Sequence, residues 1–118
     1  MVILVIDDDD DVRTALSDSL RDDGHDIRDY ADMDELPKPA ELRGFDLVLI
    51  DYHLPKRTGI SFADEYHDVH PDVPIILITA SWSDYLEGQL SRRPFLELLR
   101  KPLAYEDVDT LIRQLALR

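Results

Sequence analysis

The segment LVLID at residues 47–51 decides the fold, because four apolar residues in a row end there at an aspartate. Two other runs have the same form, VILVID at 2–7 and IILIT at 75–79. Uninterrupted runs of leucine and β-branched residues are typical of strands that are buried on both faces of a parallel sheet. Two weaker segments complete the set, FLELL at 95–99 and HDIRDY at 25–30, and the alternation of the second with charged residues predicts an edge strand.

Helical spacing of apolar residues appears between these runs. It occurs at four places, residues 12–20, 60–66, 85–90 and 108–115. Residues 33–42 are ambiguous, because Pro37 and Pro39 cannot both lie inside one regular helix. Strand and helix alternate five times, which predicts an α/β fold with a doubly wound, five-stranded parallel sheet and helices on both faces.

Length and composition bound the function. A chain of 118 residues allows one domain, so we expect residues 1–118 to form a single domain. The 26 acidic and 13 basic residues give a net charge of −13, which argues against binding nucleic acid or a membrane through a basic patch. The lack of cysteine excludes disulfides, thiolate zinc sites and cysteine nucleophiles. Met1 leads directly into a strand-like segment rather than a signal peptide, and we expect a cytoplasmic location.

Polar residues stand at the carboxyl ends of the predicted strands. They are Asp7 and Asp8, then Asp51, Thr79 and Lys101. Functional groups of open parallel sheets collect at this edge, so we expect these side chains to meet on one rim. Clustered carboxylates repel and commonly hold a divalent cation, and oxygen ligands without His or Cys favour Mg²⁺. A cation, an ammonium and a hydroxyl around one carboxylate are the components of phosphoryl transfer.

At these positions the chain resembles the receiver domain of two-component response regulators, from residue 2 to residue 117. The likeness rests on ILVIDD at 3–8, LVLID at 47–51, Pro55 with Gly59, ILITA at 76–80 and Lys101-Pro102. The resemblance implies a flavodoxin-like fold with strand order 2-1-3-4-5 and a cis peptide bond between Lys101 and Pro102. It also implies a phosphoacceptor that undergoes Mg²⁺-dependent self-phosphorylation and self-dephosphorylation, and not a conventional enzyme.

The same resemblance assigns the site residues. Asp51 would be the phosphoacceptor and form an acyl phosphate. Mg²⁺ would be held by four oxygen donors, the carboxylates of Asp7, Asp8 and Asp51 and the backbone carbonyl of His53. Thr79 would hydrogen-bond the phosphoryl group, and Lys101 would pair with it.

The resemblance also implies partners. The phosphoryl group would come from the phosphohistidine of a sensor histidine kinase or a histidine phosphotransfer protein. A downstream protein would bind the face formed by the fourth helix, fifth strand and fifth helix of the family, with no direct contact to nucleic acid or membrane. Because the chain ends after its last helix, we expect either a stand-alone regulator or a receiver from a larger protein such as a hybrid kinase.

Some positions depart from the family pattern or have two interpretations. Leu98 stands where the family usually has an aromatic residue that changes rotamer with phosphorylation. Trp82, three residues after Thr79, either packs against a neighbour or forms a lid over the rim. His67 and His70 are predicted to be solvated near a helix end.

Two alternative functions stay open at this point. A haloacid-dehalogenase-like phosphatase also places paired aspartates after its first strand and would use Asp7 or Asp8 as the nucleophile, although such enzymes usually need a longer chain. A receiver-like binding module that is never phosphorylated is compatible with Leu98. Trapping of beryllofluoride with Mg²⁺ distinguishes a phosphorylatable receiver from that module.

Overall fold

A computed structural model describes residues 1–117 and contains a five-stranded parallel sheet. The strands are β1 (Val2–Ile6), β2 (Asp26–Tyr30), β3 (Leu47–Asp51), β4 (Ile75–Thr79) and β5 (Leu96–Arg100). They lie side by side in the order β2-β1-β3-β4-β5, with every neighbouring pair parallel. The predicted doubly wound sheet and its strand order are confirmed.

Four α-helices connect or follow the strands. They are α1 (Asp10–Asp22), α2 (Gly59–Val69), α3 (Asp84–Ser91) and α4 (Tyr105–Ala116). Between β2 and β3 the chain forms two 3₁₀ turns, Met33–Glu35 and Pro39–Glu41, so the prediction of five strand–helix alternations is wrong in this crossover. Pro37 and Pro39 lack the N–H that an α-helix interior requires, and Pro39 instead begins the second turn. The fourth helix, fifth strand and fifth helix of the family pattern correspond to α3, β5 and α4 in this chain.

Both faces of the sheet are covered, which explains the continuous apolar runs. Alternate residues of β3 point to opposite sides: Leu47 and Leu49 pack in the cluster that includes α1 and α4, and Val48 and Ile50 in the one that includes α2 and α3. All five residues of β3 and of β4 are buried. A strand buried on both sides has no position for a solvated polar residue until it reaches the sheet edge.

The starts of α1, α2 and α3 face the carboxyl edge of the sheet and are capped there by side chains, whereas α4 has no side-chain cap. Asp9 accepts hydrogen bonds from the backbone N–H groups of Asp11 and Val12, and Thr58 and Ser83 cap α2 and α3 in the same way. These caps fix the loops in which the candidate site lies. In the described part of the chain, no helix is long and apolar enough to span a bilayer.

The end of α2 is less exposed than the sequence indicates. The ring of His67 stacks in parallel on Phe95, with centroids 3.8 Å apart. His70 Nε2 lies 2.7 Å from the carbonyl oxygen of Pro39, in the second 3₁₀ turn. The prediction that both histidines are solvated is therefore wrong, because the β2–β3 crossover and the start of β5 pack onto this helix end.

Candidate functional site

Three carboxylates meet at the carboxyl edge of the sheet. Asp7 directly follows β1, and Asp51 is the last residue of the adjacent β3. One oxygen each of Asp7, Asp8 and Asp51 lies within 4.8 Å of the other two. Asp7 and Asp51 are buried, at 0% and 5% exposure, whereas Asp8 is exposed. The parallel sheet thus brings together the acidic residues that the strand ends predict.

Lys101 extends into this cluster from the loop after β5. Its Nζ lies 3.2 Å from Asp7 Oδ2 and 3.3 Å from Asp51 Oδ2. The backbone N–H of Lys101 donates to the carbonyl oxygen of Thr79 at 2.8 Å, which ties the loop to the end of β4. The Lys101-Pro102 peptide bond is cis, as expected. One ammonium group therefore lies between two buried carboxylates.

The cluster keeps an excess of negative charge. Burial raises the pKa of the Asp51 carboxyl, and the nearby charge of Asp7 raises it further. Lys101 and the His53 backbone N–H lower that pKa but offset only part of the rise. For the Lys101 ammonium, burial lowers the pKa, but the two carboxylates raise it by more. Ionised Asp51 is thus held in surroundings that disfavour its charge.

One buried oxygen of the cluster has an ion-pair partner but no hydrogen bond of good geometry. Asp7 Oδ1 accepts a hydrogen bond from the backbone N–H of Asp9 at 2.9 Å. Asp7 Oδ2 is buried and accepts no hydrogen bond, since Lys101 Nζ stands at ion-pair distance without hydrogen-bond geometry. Buried polar atoms in folded proteins normally have a partner. A hard cation is a suitable partner here, because the donors around this atom are carboxylate oxygens.

Two residues reinforce the loops around these carboxylates, of which Arg13 was not identified from the sequence. Arg13 donates from Nη1 to the carbonyl oxygen of Asp7 at 2.9 Å and from Nη2 to Asp10 Oδ1 at 2.6 Å. Gly59 packs directly behind Asp51, where an added Cβ would lie 2.3 Å from the Asp51 carbonyl oxygen. Gly59 stands in the quoted family pattern, and this close approach is the physical reason for a glycine there.

His53 lies beside Asp51 and bridges two loops of the site. Its backbone N–H donates to Asp51 Oδ1 at a long 3.4 Å. Its exposed ring places Nε2 3.1 Å from Ser81 Oγ, in the loop after β4. Ser81 was not singled out from the sequence, although its position two residues after a strand end at the same edge was a usable signal.

The Thr79 hydroxyl is held by its own loop. The side chain is fully buried, and Oγ1 donates to the Ser81 carbonyl oxygen at 2.9 Å while accepting from the Ser81 N–H at 3.1 Å. The structure therefore places Thr79 at the rim but gives its hydroxyl no hydrogen bond to the acidic cluster.

Leu98 and Trp82 lie on the α3 side of the site. Leu98 is half-buried and packs in the cluster that includes α2 and α3. Trp82 packs against a neighbour, since the guanidinium carbon of Arg100 lies 4.2 Å from its ring centroid, and 42% of the residue is exposed. Of the two interpretations of Trp82, contact with a neighbour is the one observed.

A groove of about 440 Å³ adjoins Lys101 on the other side of the sheet. It is lined mainly by apolar side chains of α1, of α4 and of the loop before α4, namely Val12, Ala15, Leu16, Pro102, Leu103, Tyr105 and Val108. An apolar concavity next to a polar cluster is a common form of binding site.

Comparison with known proteins gives consistent similarities. The family model described as the response regulator receiver domain matches residues 3–113. The transcriptional regulatory protein ZraR of Salmonella typhimurium is 34% identical over 116 residues, which cover 97% of this chain and 26% of ZraR. The chain spans 23% to 48% of the length of these and similar curated relatives.

Solved structures show the same fold. A two-component response regulator from Clostridium difficile superimposes with a TM-score of 0.90 at 22% identity, covering 100% of this chain and 97% of that one. A response regulator protein from Burkholderia pseudomallei, solved with a phosphorylated aspartic acid, calcium ion and citrate, gives a TM-score of 0.79 at 28% identity. That match covers 90% of this chain and 62% of the other.

Proposed function

Because the chain belongs to the response regulator receiver domain family, we propose that it accepts a phosphoryl group from a phosphohistidine onto Asp51. The observation that carries the proposal is the cluster of three carboxylates with a single ammonium, in which Lys101 Nζ lies 3.3 Å from Asp51 Oδ2. A similar protein from Burkholderia pseudomallei carries a phosphorylated aspartic acid, which is consistent with this chemistry.

The transfer assigns a role to each residue around Asp51. A carboxylate oxygen of Asp51 bonds to phosphorus while the bond from phosphorus to the donor's imidazole nitrogen breaks. The Lys101 ammonium is close enough to Asp51 to pair with the incoming phosphoryl oxygens. To donate to the same group, the Thr79 hydroxyl has to give up the hydrogen bond that it donates to the Ser81 carbonyl oxygen.

The residues of the cluster fit Mg²⁺. The carboxylates of Asp7, Asp8 and Asp51 would hold it, together with the backbone carbonyl of His53. The buried Asp7 Oδ2, which has Lys101 at ion-pair distance but accepts no hydrogen bond, supports this placement. A divalent cation at this point supplies positive charge that stabilises the phosphoryl oxygens during transfer.

The partners follow from the position of Asp51. A donor histidine has to reach the rim. The apolar groove between α1 and α4, next to Lys101, could contact part of a sensor histidine kinase or a histidine phosphotransfer protein. We propose that residues 1–118 act as one receiver domain in the cytoplasm. A downstream protein would bind the α3–β5–α4 face, and the net charge of −13 argues against direct contact with nucleic acid or a membrane.

Mass spectrometry after incubation with acetyl phosphate and Mg²⁺ tests the proposal. We expect one phosphoryl group on the wild-type chain and none on Asp51→Asn. Asp64→Asn is the matched control, because Asp64 also pairs with a cation but lies on α2, and it should be labelled like wild type. Labelling of Asp51→Asn would contradict the assignment. Lack of labelling of wild type, together with failure to trap beryllofluoride, would support the binding module that is never phosphorylated.

The family assignment displaces the haloacid-dehalogenase-like phosphatase alternative. Turnover of a generic phosphate ester that depends on Asp7 or Asp8 would reopen that alternative.

A further inference from the structure

Arg100 is an arginine without a carboxylate partner in a strongly acidic chain. Five other arginines form ion pairs with Asp or Glu, namely Arg13, Arg21, Arg57, Arg93 and Arg113. Within residues 1–117, Arg100 forms none, and neither do Arg28, Arg43 and Arg92, although the whole chain contains 26 acidic residues. Its guanidinium instead lies over the ring of Trp82, at 4.2 Å from the centroid. Stacking on an aromatic face leaves the in-plane N–H groups of a guanidinium available to an external acceptor.

The ring beneath Arg100 is one of two exposed aromatic side chains near the start of α3. Trp82 is 42% exposed, and Tyr85, three residues later in the first turn of α3, is 69% exposed. Within the described residues the other large exposed hydrophobic side chains are aliphatic, Val69 and Leu117. Trp, Tyr and Arg are the residue types that contribute most to protein–protein binding energy.

Trp82 and Arg100 lie where the acidic cluster adjoins the α3–β5–α4 face. Trp82 follows Thr79 by three residues, and Arg100 directly precedes Lys101. The register of β4 and β5 places Arg100 opposite Thr79. A partner bound to Trp82 and Arg100 would therefore contact the two loops that hold Thr79 and Lys101.

We propose that Trp82 and Arg100 form a docking site for an acidic protein segment that carries an apolar side chain. A carboxylate of the segment would bind the free N–H groups of Arg100, and the apolar side chain would cover the indole. A short segment can contact this patch alone, whereas nucleic acid or an anionic membrane would meet the charge of −13 over a wide area. The inference names the chemistry of the downstream partner and in that sense rests on the proposed function.

Binding of a labelled probe peptide tests the docking site. The probe is a fluorescein-labelled peptide in which glutamates flank a pair of leucines, and fluorescence anisotropy is measured on the unphosphorylated chain. We expect saturable binding that weakens about tenfold or more in Arg100→Gln and in Trp82→Ala. Arg92→Gln is the matched control, because it removes the same charge from an exposed arginine at the opposite end of α3, and its affinity should equal that of wild type.

Several results would overturn the docking site. They are no saturable binding, equal loss in Arg92→Gln and Arg100→Gln, or equal affinity for a peptide with lysine in place of glutamate. Arg100-dependent binding of phosphatidylglycerol vesicles or oligothymidylate without binding of the peptide would assign the patch to another class of partner. Thermal melts establish that each variant is folded, and Trp82→Leu replaces Trp82→Ala if the latter is not. Because the peptide is tested without phosphorylation, its failure and the failure of Asp51 labelling are separate results.

Discussion

Two contacts between carboxylates and cations in this molecule differ in their balance. In the first, Arg93 donates from Nε and Nη2 to the two oxygens of Asp64, each at 2.8 Å. The remaining guanidinium nitrogen donates to the Gln89 carbonyl and side-chain oxygens at 2.9 Å. One carboxylate meets one cation there, and every strong donor has an acceptor. This Asp64–Arg93 pair fastens the loop after α3 to α2.

The acidic cluster at the carboxyl edge has no such balance. Lys101 is the one ammonium that contacts it within the described residues, while Asp7, Asp8 and Asp51 contribute three carboxylates. Asp7 Oδ2 accepts no hydrogen bond, and burial together with Asp7 raises the pKa of Asp51. The Asp64–Arg93 pair is complete without a ligand. The acidic cluster, in contrast, has three carboxylates and one ammonium, and the proposed cation would offset the remaining negative charge.

Substituting one glycine near the acidic cluster and one in α3 should give the largest difference in the free energy of unfolding. Gly59→Ala places a Cβ 2.3 Å from the Asp51 carbonyl oxygen, a backbone atom that cannot move aside cheaply, and should destabilise the fold by about 3 kcal/mol. Gly88→Ala, in α3 near the Asp64–Arg93 pair, meets no atom within 4 Å and should stabilise α3 by about 0.5–1 kcal/mol. Urea unfolding of both variants measures the difference, and a harmless Gly59→Ala would show that the loop behind Asp51 is not tightly packed.

Removing the cation from each region is the next test. Without Mg²⁺, Lys101→Ala leaves the buried carboxylates uncompensated and should cost about 2 kcal/mol of unfolding free energy. Arg93→Ala should cost about 1 kcal/mol, because Asp64 is 42% exposed and remains hydrated. Mg²⁺ should recover most of the loss in Lys101→Ala and none in Arg93→Ala, as measured by urea unfolding in EDTA and in Mg²⁺. An equal response of the two variants to Mg²⁺ would remove the distinction between the regions.

Neutralising one aspartate in each region should change stability in opposite directions. Asp51→Asn should stabilise the metal-free chain by about 1 kcal/mol at neutral pH, because ionised Asp51 is disfavoured in the fold. Asp64→Asn should destabilise it by about 0.5–1 kcal/mol through loss of the charge in the pair with Arg93.

The effect of Asp51→Asn should also depend on pH. Because the pKa of Asp51 is raised in the folded state, ionised Asp51 lowers stability only at pH values above the pKa that Asp51 has in the unfolded chain. The gain from Asp51→Asn is therefore expected in full only above the raised pKa of Asp51 in the folded chain, and it should disappear as the pH falls and wild-type Asp51 takes up a proton. Unfolding measured in EDTA across this pH range provides the test. A gain that grows on acidification would mean that the pKa of Asp51 is lowered rather than raised.

The sheet was predictable from local apolar runs, and the acidic cluster was predictable from the residues that follow those runs. Apolar runs buried on two faces define the strands, and parallel strands end at one edge, so Asp7, Asp51 and Lys101 had to meet. The absence of an α-helix from residues 33–42 was signalled by Pro37 and Pro39 but not specified, because short turns depend on what packs against them.

Contacts that join distant loops were not predictable. The Asp64–Arg93 and Trp82–Arg100 contacts depend on how α2, α3 and β5 pack, and helix or strand periodicity carries no information about such pairs. The Thr79 hydroxyl was expected near the phosphoryl group, yet in the structure it bonds to the Ser81 backbone. Hydroxyl groups have several acceptors within reach in a loop, so their partners are set by the loop conformation.

Thermal melting with and without Mg²⁺ tests most directly the claim that the acidic cluster is completed by a cation. Binding to the folded state alone gives roughly 1.5–3 kcal/mol for a metal at ten to a hundred times its Kd. Wild type should then melt about 5–15 °C higher in Mg²⁺ than in sodium at matched ionic strength. Asp8→Ala should be more stable than wild type without metal and lose most of this shift, while Asp64→Asn keeps it. An equal shift in wild type and Asp8→Ala would contradict the placement of the cation among Asp7, Asp8 and Asp51.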